Sequence, residues 1–150
     1  MATIGEPAEE IVPALIAALR DTDGWIRMYA ARALGEMGEL ARAAIPLLVQ
    51  VMYDEDYNVR RNAVYALSQM GELTQEAVPG LIQSLGTEDV GSVAAEALAK
   101  IGQPAMPALI GALRDAKDSV RRKAAYALGK MKIPNAQNAV DAAGVKPFKP

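Results

Sequence analysis

Residues 11–38 read IVPALIAALRDTDGWIRMYAARALGEMG, and three later stretches of the chain repeat the same pattern. They are AIPLLVQVMYDEDYNVRRNAVYALSQMG at 44–71, AVPGLIQSLGTEDVGSVAAEALAKIG at 77–102 and AMPALIGALRDAKDSVRRKAAYALGKMK at 105–132. A fixed period of roughly 30 residues is typical of stacked supersecondary units that bury their apolar faces against one another. The repeat therefore predicts a solenoid, a fold that usually works by presenting an extended surface.

Each unit reads as two antiparallel helices, which we call the A helix and the B helix. From Val12 to Leu19 the apolar residues of the first A helix recur at i, i+3, i+4 and i+7, which is one helical face. A second stripe runs from Ile26 to Met37 in the first B helix. Because strand patterns are lacking, we predict an all-α fold, an α-solenoid of four stacked antiparallel helical hairpins with a short C-terminal capping helix. One Pro per unit falls where we expect the first turn of the A helix, which tolerates a missing N–H: Pro13, Pro46, Pro79 and Pro107.

The pattern predicts a single domain over residues 1–150. Its units span about 8–40, 41–73, 74–103 and 104–133, and a cap and tail occupy 134–150. Residues 1–8 read as a polar lead-in, and residues 135–143 as the capping helix that covers the last apolar face. We interpret the final KPFKP as a frayed end, with a short docking motif as the alternative.

Small and polar residues mark the ends and contacts of the B helices. Glycines after three B helices predict left-handed C′ positions, at Gly38, Gly71 and Gly102. Polar residues at the A–B turns are predicted N-caps, namely Asn58, Asp89 and Ser119. One column of small residues would let neighbouring backbones approach closely, at Gly35, Ser68, Ala99 and Gly129.

The third unit departs from the others. Leu19 and Ile26 are seven positions apart, whereas the equivalent Leu85 and Val90 are five apart, so two residues are missing from its turn. Gly91 stands where the other units have Arg. We predict that the stack changes curvature or bends more easily at this unit.

Composition excludes several classes of function. The 150 residues have a formal net charge of −2, so no global positive field draws the molecule to nucleic acid or to an anionic membrane. The lack of Cys and His removes disulfides, thiol catalysis, thiolate metal sites and the commonest general base. The acidic turns lack the ligand spacing of a calcium loop. We therefore expect no catalytic residue, no metal and no cofactor.

The sequence also favours a protein of a reducing compartment. The N-terminus lacks the pattern of a signal peptide, and the longest apolar stretch, residues 11–19, is far short of a membrane span. We predict a cytoplasmic location, no membrane partner, and a monomer or weak oligomer.

The string D-x-x-x-x-[IV]-R-x-x-A-x-x-A-L-G-x-[MI]-G resembles the second half of HEAT-like repeats of the phycobilin-lyase type. It is carried by residues 21–38, 54–71 and 115–131, with Lys132 replacing the last Gly, and the preceding A-[IV]-P-x-L-I half fits too. The resemblance covers about residues 8–132. It implies stacked helical hairpins whose B helices line a concave side. Such repeats occur in bilin lyases, accessory regions of enzymes, adaptors and engineered binding scaffolds.

An Arg near the start of three B helices follows an acidic residue by six positions. Such an Arg can reach a carboxylate in its own turn or in that of the next unit, and the charge-assisted hydrogen bonds would tie successive hairpins together. We therefore assign a structural role to Arg27, Arg60 and Arg121 and exclude them from the binding site.

The positions of the B helices that fail to repeat predict the binding surface. They hold three of the five Tyr, the single Trp and several Arg, which are residue types enriched at binding hot spots. Because Glu36 and Glu96 interrupt the basic residues, a protein with a mixed or modestly acidic surface fits better than nucleic acid, which needs a continuous basic track. The predicted partner-binding residues are Trp25, Met28, Tyr29, Arg32, Arg61, Asn62, Tyr65, Ser92, Glu96, Arg122, Lys123 and Tyr126.

Two functions follow from this surface. The first is a non-catalytic scaffold or adaptor that holds a helix or loop of another protein in the concave groove of the B helices. The alternative, implied by the family resemblance, is a bilin-binding lyase subunit or chromophore chaperone. Arg and Lys would then pair with the propionates of a bilin, and Tyr and Trp would pack on its rings. The known lyases are longer than this chain, which argues against autonomous lyase activity.

Overall fold

The computed structural model describes residues 6–150, and in this range it consists of helices and their connections without a strand. The A and B helices of the four units are α1 to α8 in alternation, and α9 follows them, so the predicted all-α solenoid is confirmed. The helices are α1 (Glu6–Ala18), α2 (Gly24–Met37), α3 (Ile45–Val51), α4 (Tyr57–Met70), α5 (Val78–Ser84), α6 (Gly91–Ile101), α7 (Met106–Ala112), α8 (Asp118–Lys130) and α9 (Pro134–Ala143).

The units stack through their B helices. Helix α2 packs on α4, α4 on α6 and α6 on α8, while each A helix packs on the B helix of its own unit. The core repeats with the units, because one Leu of each B helix is fully buried. These residues are Leu34, Leu67, Leu98 and Leu128. Helix α9 packs on α7 and α8 and covers the end of the stack, where the sequence predicted a capping helix over residues 135–143.

Short 3-10 segments join the units and lead directly into the next A helix. The prolines of α3, α5 and α7 lie in the first turn, as predicted. Pro13 does not, because α1 already begins at Glu6 and residues 6–8 of the predicted lead-in are helical. Pro13 has no N–H to donate to the carbonyl of Glu9, four residues earlier. Both residues are exposed, so water can solvate that carbonyl. Residues 1–5 of the lead-in lie outside the described range.

Three details of the predicted helix ends were wrong. Helices α2 and α4 are capped by Asp23 and Asp56, whose carboxylates accept hydrogen bonds from backbone N–H groups of the first turn. The predicted cap Asn58 already lies inside α4, because the more strongly accepting Asp56 is placed two residues earlier. Helices α6 and α8 follow Val90 and Lys117, neither of which caps through its side chain, instead of Asp89 and Ser119.

The glycines that end the B helices have positive φ but do not adopt the predicted left-handed helical conformation. Gly38, Gly71 and Gly102 combine φ of 57°, 55° and 79° with ψ of −126°, −123° and −138°. Residues with a Cβ atom are strained at these φ and ψ values. Gly is therefore required at the three positions, but not for the left-handed helical conformation that we predicted. Ile26, expected in the apolar stripe, is 44% exposed because it lies at the open edge of the first turn.

The predicted role of the repeated Arg is confirmed for the first two units. Arg27 donates to both carboxylate oxygens of Asp54 in the next unit, at 2.9 and 3.0 Å, and Arg60 donates to Asp89 from Nε at 3.0 Å and from Nη2 at 2.6 Å. Each guanidinium also donates from Nη1 to two backbone carbonyls of its own A–B turn. Arg121 binds its own turn and Asp118, with no further unit to reach. These Arg residues close a turn and, where a unit follows, join two units.

In the third unit a Lys of the fourth unit replaces the missing Arg. The Lys123 Nζ atom donates to the carbonyls of Leu85 and Thr87 at 3.2 and 3.4 Å. A Cβ atom at Gly91 would lie 2.4 Å from this Nζ and 2.8 Å from the Leu85 carbonyl oxygen. Gly91 therefore makes room for Lys123, whose pKa is lowered by burial. The predicted change of curvature at this unit stays a prediction.

The Arg27–Asp54 pair should make stability depend on acid pH. Burial alone would raise the pKa of Asp54, but the hydrogen bond from Arg27 and a backbone hydrogen bond hold it below its ordinary value. The stabilisation is present above the ordinary pKa of 3.8 and is lost as pH falls through the lower pKa of the folded state. We expect the Arg27→Ala variant to lose less stability than the wild type between pH 7 and pH 3.

Urea unfolding followed by circular dichroism at several pH values measures this difference. Arg121→Ala is the matched control, because Arg121 binds its own turn but no carboxylate of a next unit. It should keep the acid dependence of the wild type. Identical pH dependence in the Arg27→Ala variant and the wild type would contradict the prediction.

Candidate functional site

Two adjoining clefts open on the surface formed by the B helices. The first, of about 300 Å³, is mostly polar, and the second, of about 310 Å³, is mostly apolar. Tyr65 and Val93 line both, so the two clefts adjoin, and we call the pair the B-helix groove. The polar cleft is lined by Arg32, Glu36, Asn58, Arg61, Asn62, Tyr65 and Val93. The apolar cleft is lined by Tyr65, Ser68, Ser92, Val93, Glu96, Lys100, Tyr126, Phe148 and Pro150.

The polar cleft is built by the first turns of α4 and the middle of α2. Arg32 donates to Glu36 at 3.2 Å in an i,i+4 pair, and the Asn62 amide donates to the Asn58 carbonyl at 2.7 Å. Arg61 is exposed and forms no ion pair with any side chain in the described part of the chain. The cleft therefore offers one guanidinium that is free to bind a carboxylate or a carbonyl.

A cluster of three side chains lies at the apolar cleft, and two of them, Glu96 and Tyr126, line it. The Tyr126 hydroxyl and the Lys130 Nζ both donate to the carboxylate of Glu96, the latter at 2.7 Å, and the ammonium also lies 5.5 Å from the Tyr126 ring centroid. Since Glu96 belongs to α6 and the other two to α8, the cluster ties the third unit to the fourth. It is a structural feature as well as part of the groove.

The cluster keeps one protonation state near neutral pH. Burial alone would raise the pKa of Glu96, but the hydrogen bonds from Lys130 and Tyr126 hold it below its ordinary value. The hydrogen bond to Glu96 in turn raises the pKa of Tyr126 and of Lys130. Each of these shifts moves the pKa of its group further from pH 7, whereas general acid–base catalysis requires a pKa near the working pH.

Within residues 145–150, Val145 and Phe148 are partly buried and the other residues are exposed, so the predicted frayed end is wrong for Phe148, which packs on α8. The Phe148 N–H donates to the Arg122 carbonyl at 2.9 Å, and the Phe148 ring meets the Tyr126 ring edge to face, with centroids 5.9 Å apart. The Lys123 ammonium lies 5.8 Å from the same ring. These contacts give Phe148 an aromatic, a cationic and a backbone partner. The segment becomes one side of the apolar cleft.

The structure brings seven of the twelve predicted site residues into the groove. Tyr65, which is 41% exposed, lies at its centre and accepts a hydrogen bond from the Gln69 amide. Its ring can therefore pack against a ligand while its hydroxyl is already oriented. The seven residues are Arg32, Arg61, Asn62, Tyr65, Ser92, Glu96 and Tyr126.

The other five predicted residues line neither cleft. Trp25 and Tyr29 form an exposed stacked pair with centroids 6.3 Å apart, and Met28 packs on the core. Arg122 lines a separate cleft beside residues 143–146. Lys123 is only 8% exposed, because its ammonium is bound to the turn of the third unit and is not free for a partner.

Sequence reasoning missed seven lining residues. Three of them, Glu36, Val93 and Lys100, stand at B-helix positions whose residue differs from unit to unit. A prediction that included the residue of every unit at those positions would have found them. Two others have a predicted structural role in the sequence, Asn58 as a cap and Ser68 as a packing residue. Phe148 and Pro150 had no signal of this kind, because no repeat unit contains their segment.

Two other kinds of feature are absent from the described range. No group of three or more Asp, Glu, His or Cys side chains within residues 6–150 is arranged to hold a metal ion. None of the helices between Glu6 and the C-terminus is both long and apolar enough to cross a membrane.

Comparison with known proteins identifies the repeat type. A family model described as HEAT repeats matches residues 1–52, 12–96 and 86–144. A search of curated proteins found no match. The crystal structure of an engineered protein is 24% identical, with a TM-score of 0.63, over 95% of this chain and 73% of that one.

Two further solved structures are similar. The complex of CpcE and CpcF of phycocyanin lyase from Nostoc sp. PCC7120 is 22% identical, with a TM-score of 0.60, over 90% of this chain and 86% of that one. A designed armadillo repeat protein is 21% identical, with a TM-score of 0.63, over 89% and 71%. At these identities the likeness shows the fold alone. The family matches together extend from residue 1 to residue 144 and agree with the stacked hairpins of the structure, so the chain belongs to the HEAT repeat proteins.

Proposed function

We propose that this chain is a non-catalytic scaffold that binds a segment of another protein in the B-helix groove. The observation that carries the proposal is that two adjoining clefts together span the B helices of all four units. The two clefts share Tyr65 and Val93 and together draw residues from α2, α4, α6 and α8. A pair of clefts that crosses four helices suits an elongated ligand better than a compact metabolite.

The composition of the groove supports a protein ligand. Interfaces combine apolar and aromatic anchors with a polar rim, and Tyr and Arg are enriched among the residues that dominate binding. The apolar cleft supplies the anchor site, and Arg61 and Tyr65 supply exposed groups of these types. The proposal includes the absence of catalysis, which is supported by a chain without Cys or His. The predicted cytoplasmic location and monomeric or weakly associating state stay predictions.

Selection of a displayed peptide library on the purified chain tests the scaffold function. We expect binders whose affinity falls at least about 30-fold in the Arg61→Ala/Tyr65→Ala double variant, because hot-spot side chains contribute about 2 kcal/mol or more and 1.4 kcal/mol is tenfold in affinity. Circular dichroism should show unchanged helicity, since both side chains are exposed. Isothermal titration calorimetry measures the affinities.

The matched control is Arg42→Ala/Tyr53→Ala, which removes one exposed Arg and one exposed Tyr that line neither cleft of the groove. This variant should bind like the wild type. Binders that lose equal affinity in both variants, or in neither, would move the site away from the groove and contradict the proposal.

Bilin binding is a second candidate for the same groove. Tyr65, Tyr126 and Phe148 present aromatic rings, and Arg61 and Lys100 could pair with propionates. A titration of free bilin followed by visible absorbance tests this candidate, because a bilin held in a protein changes its spectrum. An unchanged spectrum at high micromolar protein would exclude it and leave the scaffold function as it stands.

A further inference from the structure

We propose that the B-helix groove selects a protein segment in which one large apolar side chain lies between acidic residues. This inference rests on the proposed scaffold function and specifies the class of segment that the scaffold takes. Three observations support it: the shape of the apolar cleft, the state of the charges along the groove and the position of residues 145–150.

The apolar cleft fits one large side chain. Its apolar lining residues include Tyr65, Val93, Phe148 and Pro150. Its volume of about 310 Å³ is at the small end of the range for ligand pockets, so it suits a single anchoring residue rather than a whole cofactor. Burial of an aromatic or long aliphatic side chain against these walls would provide the main attraction.

The charges of the groove are unevenly compensated. Both of its side-chain carboxylates form ion pairs, Glu36 with Arg32 and Glu96 with Lys130. Arg61 and Lys100 are exposed, and neither forms an ion pair with a described side chain. The side chains that line the groove carry three positive charges (Arg32, Arg61 and Lys100) and two negative charges (Glu36 and Glu96), although the whole chain has a net charge of −2.

The two charges without an ion pair to a described side chain lie in different clefts. Arg61 lines the polar cleft, and Lys100 lines the apolar cleft. A segment that follows the groove with its anchor in the apolar cleft would pass both of them. Acidic residues near the anchor would be attracted, whereas basic residues there would be repelled. This electrostatic difference decides which apolar segments bind.

Residues 145–150 complete the cleft instead of filling it. Phe148 is held to one side by its hydrogen bond to the Arg122 carbonyl and its edge-to-face contact with Tyr126. The space between Phe148 and Tyr65 stays open. Removal of the Phe148 ring should therefore weaken binding, because the anchor would lose one wall. If residues 145–150 instead competed with the ligand for the cleft, removal of the Phe148 ring would strengthen binding.

Three synthetic peptides test the proposal on the full chain. The first is acetyl-Gly-Glu-Asp-Trp-Asp-Glu-Gly-amide, the second replaces each acid with its amide, and the third replaces Trp with Ala. We expect the first peptide to shift the NMR signals of Tyr65, Val93 and Phe148. The second should bind roughly tenfold more weakly, because two exposed charge pairs together contribute about that factor. The third should show no binding at millimolar concentration.

Two variants complete the test. Phe148→Ala should bind the first peptide at least about fivefold more weakly, because it loses a wall of the anchor site. Arg61→Glu, at an exposed position, should abolish most of the difference between the first and second peptides, whereas Arg42→Glu, away from the groove, should preserve it. Circular dichroism verifies that every variant is folded.

Several outcomes would overturn the inference. They are equal affinity for the acidic and amidated peptides, tighter binding by the Phe148→Ala variant, and no binding of the first peptide at millimolar concentration. These results differ from a failure of the scaffold function. Library selection would then still yield peptides that depend on Arg61 and Tyr65, but without the acidic and apolar character.

Discussion

Replacing Gly35 with Ala should lower the free energy of unfolding by roughly 2–3 kcal/mol, near the upper end of the usual cost of overpacking a core. A Cβ atom at Gly35 would lie 2.6 Å from the Ala66 Cα and 2.8 Å from the Ala66 Cβ. Ala66 is fully buried in α4, and its backbone cannot move aside as the end of a flexible side chain would. Helices α2 and α4 would have to separate. Urea unfolding followed by circular dichroism measures the loss.

Gly129→Ala is the matched control, because Gly129 occupies the same column in the fourth unit. A Cβ atom at Gly129 would have the Gln137 Oε1 as its nearest neighbour, at 3.7 Å, which is an ordinary contact. Ala is favoured over Gly in a helix by about 0.5–1 kcal/mol, so this variant should be as stable as the wild type or slightly more stable. Changes of the same sign and size in both variants would show that the α2–α4 contact is not the cause.

Replacing Lys123 with Ala should lower the free energy of unfolding by roughly 2 kcal/mol, because a buried acceptor left without a donor costs about 1–3 kcal/mol and the Leu85 carbonyl would be such an acceptor. Lys123 is the donor to the Leu85 and Thr87 carbonyls in the turn of the third unit. In the first two units an Arg of the same unit binds the turn carbonyls, but the third unit has Gly91 at that position. The loss should therefore be concentrated in this turn.

Hydrogen exchange measured by mass spectrometry locates the effect. Peptides that cover residues 85–91 should exchange faster in Lys123→Ala, while those of the first unit should be unchanged. Asn62→Ala is the control, because Asn62 holds the equivalent position in α4 but bonds only within its own helix. A loss spread evenly over all units, or an equal loss in both variants, would contradict the assigned role of Lys123.

Local patterns were enough to predict most of the scaffold. Apolar residues at helical spacing, a Pro near the start of most A helices and a Gly after three B helices predicted the hairpins and the all-α fold. The spacing between Arg27 and the acidic turns also predicted the tie to the next unit, because consecutive units stand in a fixed register. Repetition makes such contacts visible, since the same pair occurs more than once in the sequence.

The candidate site was only partly predictable for the same reason. Variable columns indicated Arg61 and Tyr65, which do lie in the groove, and also Lys123, which does not. The column alone could not show that Lys123 reaches a turn 36 to 38 residues earlier in the chain. Nor could it show that Phe148 packs on Tyr126, because this contact occurs once and has no counterpart in another unit.

The helical hairpins, their order and the Arg contacts between them can be read from the chain, because they follow from periodic apolar spacing and from residues that recur in register. Which variable side chains remain free depends instead on how the helices pack. The single contacts of Lys123 with the third turn and of Phe148 with α8 depend on three-dimensional distance between segments that share no local pattern. Those contacts remove one predicted binding residue from the surface and add a wall to the groove.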